Sequence, residues 1–214
     1  MLARWLRFGV PVACPAHFIP LAERAGLIRL LSENLLEQAC IVATTWPAGV
    51  GLSVNVPPSL LHKALLPDRL QEITERAGFP LHRLSLEITE GTMMEDLEAA
   101  RSIFEKLKSL GVQIALDDFG TGYSGLRRLL MLRFDVLKID KVFIKAMSTQ
   151  REARNIVAAI VGLCADLGVT SVAEGVERQQ EADLLYSLGC KTGQGWLFGR
   201  PMPAASVTTR LAMA

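Results

Sequence analysis

Residues 114–125, IALDDFGTGYSG, run from an apolar segment through two adjacent aspartates into a glycine-rich loop. The apolar, β-branched start of this stretch predicts a buried strand over residues 112–118. Burial and mutual repulsion both work against keeping Asp117 and Asp118 charged, so we expect a cationic group beside them. The candidates are a metal ion, a lysine side chain and a cationic substrate.

The same order of strand followed by helix extends along most of the chain from residue 52 onward. Helical patterns end at Gly111 and Gly168, as expected for left-handed C-terminal caps. Two amphipathic helices are predicted near 15–25 and 30–46, after a strand-like segment, LARWLRF. Alternating strands and helices predict an α/β fold with a parallel sheet, and the absence of linker-like stretches predicts one domain over residues 1–214. The predicted strands are 52–56, 84–89, 112–118, 136–140, 169–176 and 192–198.

A polar or charged residue stands at the carboxyl end of every predicted strand. In a β/α barrel these ends form the rim of the active site, so the recurrence predicts one shared functional site. The alternative is that these residues are helix N-caps and loop residues, which explains one or two of them better than six in register. The residues are Asn55, Glu87, Asp117 with Asp118, Lys138, Glu174 and Gln194.

Carboxylate and amide oxygens are hard ligands, which favour Mg²⁺ or Mn²⁺ over zinc. The four cysteines have no zinc-type spacing. Two neighbouring carboxylates can hold two cations, the arrangement used in two-metal phosphodiester hydrolysis. Lys138 can then supply a positive charge for a phosphate group or a metal-bound water. A structural ion pair of Lys138 with Asp117 or Glu174 is an equally open interpretation.

Composition narrows the possible partners. The 214 residues include 23 basic and 22 acidic side chains, giving a formal charge of +1, so no overall field favours a DNA or RNA polymer or a membrane surface. The longest apolar run, residues 156–165, is about half the length of a membrane span and predicts a buried helix. Four cysteines in so apolar a chain predict buried thiols in a reducing compartment, which is consistent with the cytoplasm.

Two short motifs suggest other functions. GTGYSG matches GxGxxG, with Asp140 at the end of the next strand, as in dinucleotide-binding folds. However, Asp117 and Asp118 directly precede these glycines and would repel a pyrophosphate in the absence of metal. DFG at 118–120 matches the magnesium loop of kinases, but no HRD-type loop precedes it.

Taken together, seven ordered blocks resemble the EAL domain family, barrel phosphodiesterases that act on cyclic di-GMP. They span almost the whole chain, which makes the resemblance far more specific than any single motif. The blocks are FIPLAE (18–23), LSVNV (52–56), LSLEITE (84–90), IALDDFGTGYS (114–124), LKID (137–140), VAEGVE (172–177) and QGWLFGRP (194–201).

The resemblance implies a TIM-type (β/α) barrel that hydrolyses cyclic di-GMP to the linear dinucleotide with Mg²⁺ or Mn²⁺, and it allows a homodimer. It implies a metal site at Asn55, Glu87, Asp117, Asp118 and Glu174, with Lys138, Glu174 and the two aspartates as the catalytic group. It further implies that Arg4, Gln194 and Asp140 contact the substrate. The loop 119–125, with Gly120 and Gly122 and supported by Glu177, would couple the metal site to dimerisation.

The chain departs from the family pattern at its start. MLARW begins one residue after the position of the glutamate in the Glu-Ala-Leu motif, and the first strand and most of the second are not present in it. We therefore expect an incomplete barrel with an unpaired sheet edge and little turnover by this chain alone. The alternative is an inactive module that binds cyclic di-GMP or another protein.

Overall fold

The computed structural model describes residues 3–8, 10–61, 65–89, 97–120 and 125–213. Its strands are β1 (Trp5–Arg7), β2 (Val10–Ala13), β3 (Leu52–Asn55), β4 (Leu84–Thr89), β5 (Gln113–Phe119), β6 (Val136–Ile139), β7 (Thr170–Ala173) and β8 (Thr192–Gly193). Its helices are α1 (Pro15–Arg24), α2 (Ile28–Ala43), α3 (Pro58–Leu61), α4 (Leu66–Ala77), α5 (Leu97–Ser109), α6 (Gly125–Leu132), α7 (Lys141–Met147), α8 (Arg151–Leu167), α9 (Gln179–Ser187) and α10 (Ala204–Ala212). A 3₁₀ turn, Leu81–Arg83, precedes β4.

Strands β3 to β8 form a six-stranded parallel sheet in which the spatial order equals the chain order. Helices connect successive strands, as parallel pairing requires. The sheet curls into a half-barrel, which confirms the α/β fold and the incomplete TIM-type barrel. Within the described part of the chain, the outer edges of β3 and β8 pair with no further strand. Strands β1 and β2 form a separate antiparallel ribbon.

The core lies between the sheet and the helices that cover its outer face. Leu86 and Ile88 of β4, Ile114 of β5 and Leu137 of β6 are fully buried. Residues two apart along a strand share a face, so the residues between these apolar ones point to the inside of the half-barrel. This alternation is what directs Glu87 and Lys138 inward.

Helix α8 contains the apolar run 156–165. Its inner side, including Val157 and Cys164, is buried, whereas Ile156 is exposed, so the run is one face of an amphipathic helix. Among the described residues, no helix combines the length and the apolar character needed to cross a membrane. The thiols of Cys40, Cys164 and Cys190 are buried as predicted, and burial raises the pKa of Cys40 and Cys164 to about 11. The prediction was wrong for Cys14, which is exposed.

Strand β8 is shorter than the predicted 192–198, since only Thr192 and Gly193 pair with β7. The chain turns over Val176, whose backbone N–H donates to the carbonyl of Gln194 at 3.1 Å. A Cβ atom at Gly195 would lie 2.2 Å from the carbonyl oxygen of Val176, so this close crossing requires glycine. The crossing ends the strand just before the aromatic residues that follow.

Arg83 ties the loop before β3 to the start of β4. Its guanidinium group donates to the backbone carbonyls of Val50 at 2.6 Å, Pro47 at 3.1 Å and Ala43 at 3.2 Å. One planar group thus holds three carbonyls between the end of α2 and the start of β3. This contact helps fix the relative position of β3 and β4.

Candidate active site

The carboxyl ends of the strands bring the predicted residues together as expected. Glu87 lies on β4, Asp117 on β5 and Lys138 on β6, and all three are buried. Glu174 directly follows β7, and Gln194 directly follows β8. The three strand residues face inward because side chains alternate along a strand, and the parallel register brings the ends of these strands together.

Lys138 is the centre of the cluster. Its Nζ atom lies 2.6 Å from Oε1 of Glu174, 3.0 Å from Oε1 of Glu87 and 3.1 Å from Oδ1 of Asp117. Burial would lower the pKa of Lys138, but the hydrogen bond to Glu174 and the surrounding negative charges outweigh burial and raise it. A protonated lysine is therefore one of the cations that the adjacent aspartates require.

Glu87 is held by two donors at the same oxygen. Its Oε1 atom accepts a hydrogen bond from the Ser53 hydroxyl group at 2.7 Å and contacts Nζ of Lys138. Burial favours the neutral acid, but the Ser53 hydrogen bond and the Lys138 charge outweigh it and lower the pKa of Glu87. Glu87 is thus kept anionic in a buried position.

The two aspartates occupy an irregularity in β5. Between the pairs Leu116↔Leu137 and Phe119↔Ile139, β5 advances by three residues while β6 advances by two. Such a bulge places an extra residue on one strand and lets two consecutive side chains approach one site. Asp118 has a positive φ of 55°, and its backbone N–H donates to Oδ1 of Asp117 at 3.0 Å.

Asp117, Asp118 and Glu174 form a carboxylate cluster that suits a divalent cation. Each offers an oxygen, and these oxygens all lie within 4.8 Å of one another. Burial, followed by the charge of Asp117, raises the pKa of Asp118. Burial is also the main cause of the raised pKa of Glu174, although Lys138 partly offsets it. Crowded, partly buried oxygens of this kind are the ligands that Mg²⁺ and Mn²⁺ prefer.

Two substrate-binding candidates lie beside this cluster. Gln194 donates from Nε2 to Oε1 of Glu174, the oxygen that Lys138 also contacts. Asp140 is buried, and its Oδ1 atom accepts the backbone N–H of Val142 at 2.7 Å as the N-cap of α7. After burial and the charge of Asp117, the nearby Asp140 carboxyl group also contributes to the raised pKa of Asp118. The N-cap contact gives Asp140 a structural role in addition to the predicted one.

The described contacts of three other predicted residues do not include Lys138. Asn55 is exposed at the end of β3, in register with Glu87, and lines an apolar cavity of about 690 Å³ beside α1 and α2. Arg4 is exposed, and its Nη1 atom donates to the carbonyl of Ala3 at 2.8 Å. Glu177 forms an ion pair with Lys145 at 2.8 Å, and residues 121–124 of the loop that it was predicted to support lie outside the described residues.

The loop after β5 is described only at its ends. Gly120 has a φ of 100°, and a Cβ atom there would lie 2.8 Å from the ring of Phe143 on α7. Both observations explain why glycine follows the aspartates. The predicted loop residue Gly122 falls in 121–124, outside the described residues.

Sequence reasoning missed two features of this site. The first is the contact of Ser53 with Glu87, for which the only signal was that Ser53 shares a strand face with Asn55. The second is the bulge in β5. Its signal was the adjacency of Asp117 and Asp118, since a regular strand would direct them to opposite faces.

Comparison with known proteins points to one family. The EAL domain family model matches residues 1–201. The bifunctional diguanylate cyclase/cyclic di-GMP phosphodiesterase MucR of Pseudomonas aeruginosa is 39% identical over 215 residues, which is 99% of this chain and 31% of MucR. The oxygen sensor protein DosP of Escherichia coli is 36% identical over 96% of this chain and 26% of DosP. The chain thus spans between a quarter and a third of these relatives.

Solved structures agree with this result. The PaMucR phosphodiesterase in complex with c-di-GMP superposes with a TM-score of 0.88 at 39% identity, covering 95% of this chain and 84% of that one. A manganese and cyclic di-GMP complex of BlrP1 from Klebsiella pneumoniae gives a TM-score of 0.77 at 32% identity. That match covers 86% of this chain and 48% of BlrP1.

Proposed function

The chain belongs to the EAL domain family, and from this membership we propose that it is a metal-dependent phosphodiesterase domain that hydrolyses cyclic di-GMP to the linear dinucleotide. One observation carries the proposal. A buried lysine, Lys138, contacts three carboxylates at the carboxyl ends of parallel strands, next to the Asp117, Asp118 and Glu174 oxygen cluster. This combination of cation and hard oxygen ligands suits an anionic phosphodiester.

The proposed metal ligands are Asp117, Asp118 and Glu174, with Glu87 and Asn55 beside them. Mg²⁺ or Mn²⁺ bound there would activate a water molecule and neutralise charge on the phosphate group. The closeness of these oxygens, all within 4.8 Å of one another, supports this assignment, because a bound cation stabilises carboxylates that are held together. The ligand set is free of sulfur and imidazole, which disfavours zinc.

The side chains of the chain itself would prepare the site. Lys138, protonated and fixed by three carboxylates, presents a positive charge toward a phosphate oxygen. Gln194 orients Glu174 through its hydrogen bond. We assign substrate contacts to Gln194, Asp140 and Arg4, the last by analogy of position within the family only.

We also propose the domain extent, the oligomeric state and the cellular location of the protein. One domain over residues 1–214, a homodimer and a cytoplasmic location fit the family and the free cysteines. We assign no DNA or RNA polymer as partner, since the formal charge is only +1.

A second candidate is a module that binds cyclic di-GMP or a protein partner without turnover. One observation favours it: Lys138 already offsets the charge of Glu87, Asp117 and Glu174. A carboxylate cluster whose negative charge is balanced by a lysine can persist without a metal ion. A domain with such a cluster can keep its ligand-binding surface without hydrolysing the ligand.

Turnover is the test of the first candidate. The purified chain is incubated with cyclic di-GMP and Mn²⁺ or Mg²⁺, and the linear product is separated by chromatography. The controls are chelator and an Asp117→Ala, Asp118→Ala double variant. Metal-dependent product that both controls abolish supports the phosphodiesterase. Folded protein that binds cyclic di-GMP without product supports the module. A folded chain that does neither refutes the phosphodiesterase and the cyclic di-GMP-binding module, and leaves a protein-binding module.

A further inference from the structure

A second cavity lies beneath the cluster, inside the half-barrel. It has a volume of about 400 Å³ and extends from Lys138 and Glu87 toward the amino ends of the strands. Small inward-facing side chains line it, among them Ser53 and Ser85 on neighbouring strands. These two serines are direct partners in the β3–β4 register and both are half-buried.

Only one of the two hydroxyl groups reaches the acidic cluster. Ser53 donates to Oε1 of Glu87 at 2.7 Å, whereas no side-chain hydrogen bond of Ser85 is found within the described part of the chain. The register explains the difference. Glu87 pairs with Asn55, so Ser53 lies two residues before that partner on the neighbouring strand, and a glutamate can span that diagonal.

The Ser53 contact falls on the oxygen that Lys138 also approaches, at 3.0 Å. Donors from β3 and β6 therefore hold this one oxygen from two sides, and Glu87 is 9% exposed. Two such donors restrict the rotation of a buried carboxylate more than one donor does. Without the hydroxyl group, Lys138 would be the one donor to this oxygen among the described residues.

We propose that Ser53 is a positioning residue of the metal site, and that its hydroxyl group acts by holding the Glu87 carboxylate between β3 and Lys138. The inference rests on the proposed function, because it concerns a cation bound by Asp117, Asp118 and Glu174 beside Glu87. Groups that orient metal-site carboxylates by hydrogen bonds affect metal affinity without touching the metal. Ser53 would therefore affect metal binding before it affects substrate binding.

The experiment measures Mn²⁺ binding directly, from the paramagnetic resonance signal of free Mn²⁺ titrated with protein. The wild type is compared with Ser53→Ala, Ser53→Thr and Ser85→Ala, each checked for folding by circular dichroism. Ser85→Ala removes a hydroxyl group from the same cavity wall and is the matched control. Ser53→Thr keeps the hydroxyl group and suits a strand.

We expect Ser53→Ala to weaken Mn²⁺ binding by about 10-fold or more, while Ser53→Thr and Ser85→Ala stay close to the wild type. Unchanged Mn²⁺ affinity in Ser53→Ala would overturn the inference and leave the proposed function intact. Equal weakening in Ser53→Ala and Ser85→Ala would also overturn it, because the effect would then belong to the cavity wall in general. A folded wild type that binds no Mn²⁺ would refute the metal site and this inference together.

Discussion

Nζ of Lys138 lies 2.6 Å from Oε1 of Glu174, the shortest of its contacts with three carboxylates. The two residues come from adjacent parallel strands, with Glu174 just beyond the end of β7. The ammonium group and the carboxylate are almost fully removed from water, since their side chains are 6% and 14% exposed. This contact makes the lysine a structural part of the site as well as a candidate catalytic group.

The first prediction follows from this burial. Lys138→Met should lower the free energy of unfolding of the metal-free protein by about 3–5 kcal/mol, because it leaves buried carboxylates without their cation. Urea denaturation in chelator measures the loss. Added Mn²⁺ should recover part of it, since a divalent cation can replace the missing charge.

Lys145→Met is the matched control for this prediction. Lys145 also pairs with a glutamate, Glu177 at 2.8 Å, but both side chains are open to water. Exposed pairs contribute little, so the loss should be much smaller than for Lys138→Met. Similar losses in the two variants would contradict a special role for burial.

The second prediction concerns the two aspartates. Asp117→Asn and Asp118→Asn each remove one anionic oxygen ligand with little change in shape, so each should weaken Mn²⁺ binding by more than about 10-fold. Calorimetric titration with Mn²⁺ measures the change. Asp183→Asn, on the exposed side of α9, is the control and should bind Mn²⁺ as the wild type does. An Asp118→Asn variant with wild-type affinity would remove Asp118 from the ligand set.

The third prediction is a pH dependence of stability. Glu33 on α2 bonds to Arg69 on α4 at 2.8 Å, and this hydrogen bond, against the opposing effect of burial, is the main reason for its lowered pKa. A carboxyl group with a lowered folded pKa stabilises the protein above its unfolded pKa of about 4.3, and this stability is lost as the pH falls through the folded pKa. Glu33→Gln should therefore be less stable than the wild type at pH 7, with a difference that shrinks on acidification.

Urea denaturation at neutral and acidic pH measures this difference. Glu75→Gln is the control, because Glu75 accepts its hydrogen bond from the uncharged side chain of Gln71 and the substitution removes no ion pair. A difference between the wild type and Glu33→Gln that stays constant with pH would show that the ion pair does not contribute through ionisation.

The fourth prediction concerns the backbone after the aspartates. Gly120→Ala should destabilise the protein by about 1–3 kcal/mol, because the residue has a φ of 100° and its new Cβ would lie 2.8 Å from the Phe143 ring. Thermal denaturation measures the loss. In contrast, Gly162→Ala on α8 meets no neighbouring atom within 4 Å and should be neutral or stabilising by up to about 1 kcal/mol. A stabilising Gly120→Ala would show that the loop tolerates another conformation.

The order of elements and the location of the site were predictable from the sequence. Strand and helix periodicities depend on neighbours within a few residues, and they predicted the strands that became β3 to β7 to within about three residues. Parallel pairing then required that the carboxyl ends of these strands meet, which brought Glu87, Asp117 and Lys138 together. The ordered motif blocks were enough to predict the family.

The contacts within the site needed the tertiary structure. The bulge in β5 and the hydrogen bond from Ser53 to Glu87 depend on the register between strands that lie far apart in the chain. The same is true of the early end of β8 at Gly195, which depends on the backbone of Val176. Hydrophobic periodicity specifies which face of an element is buried, but a contact of 3 Å also requires the register, the twist and the side-chain rotamers of two elements at once.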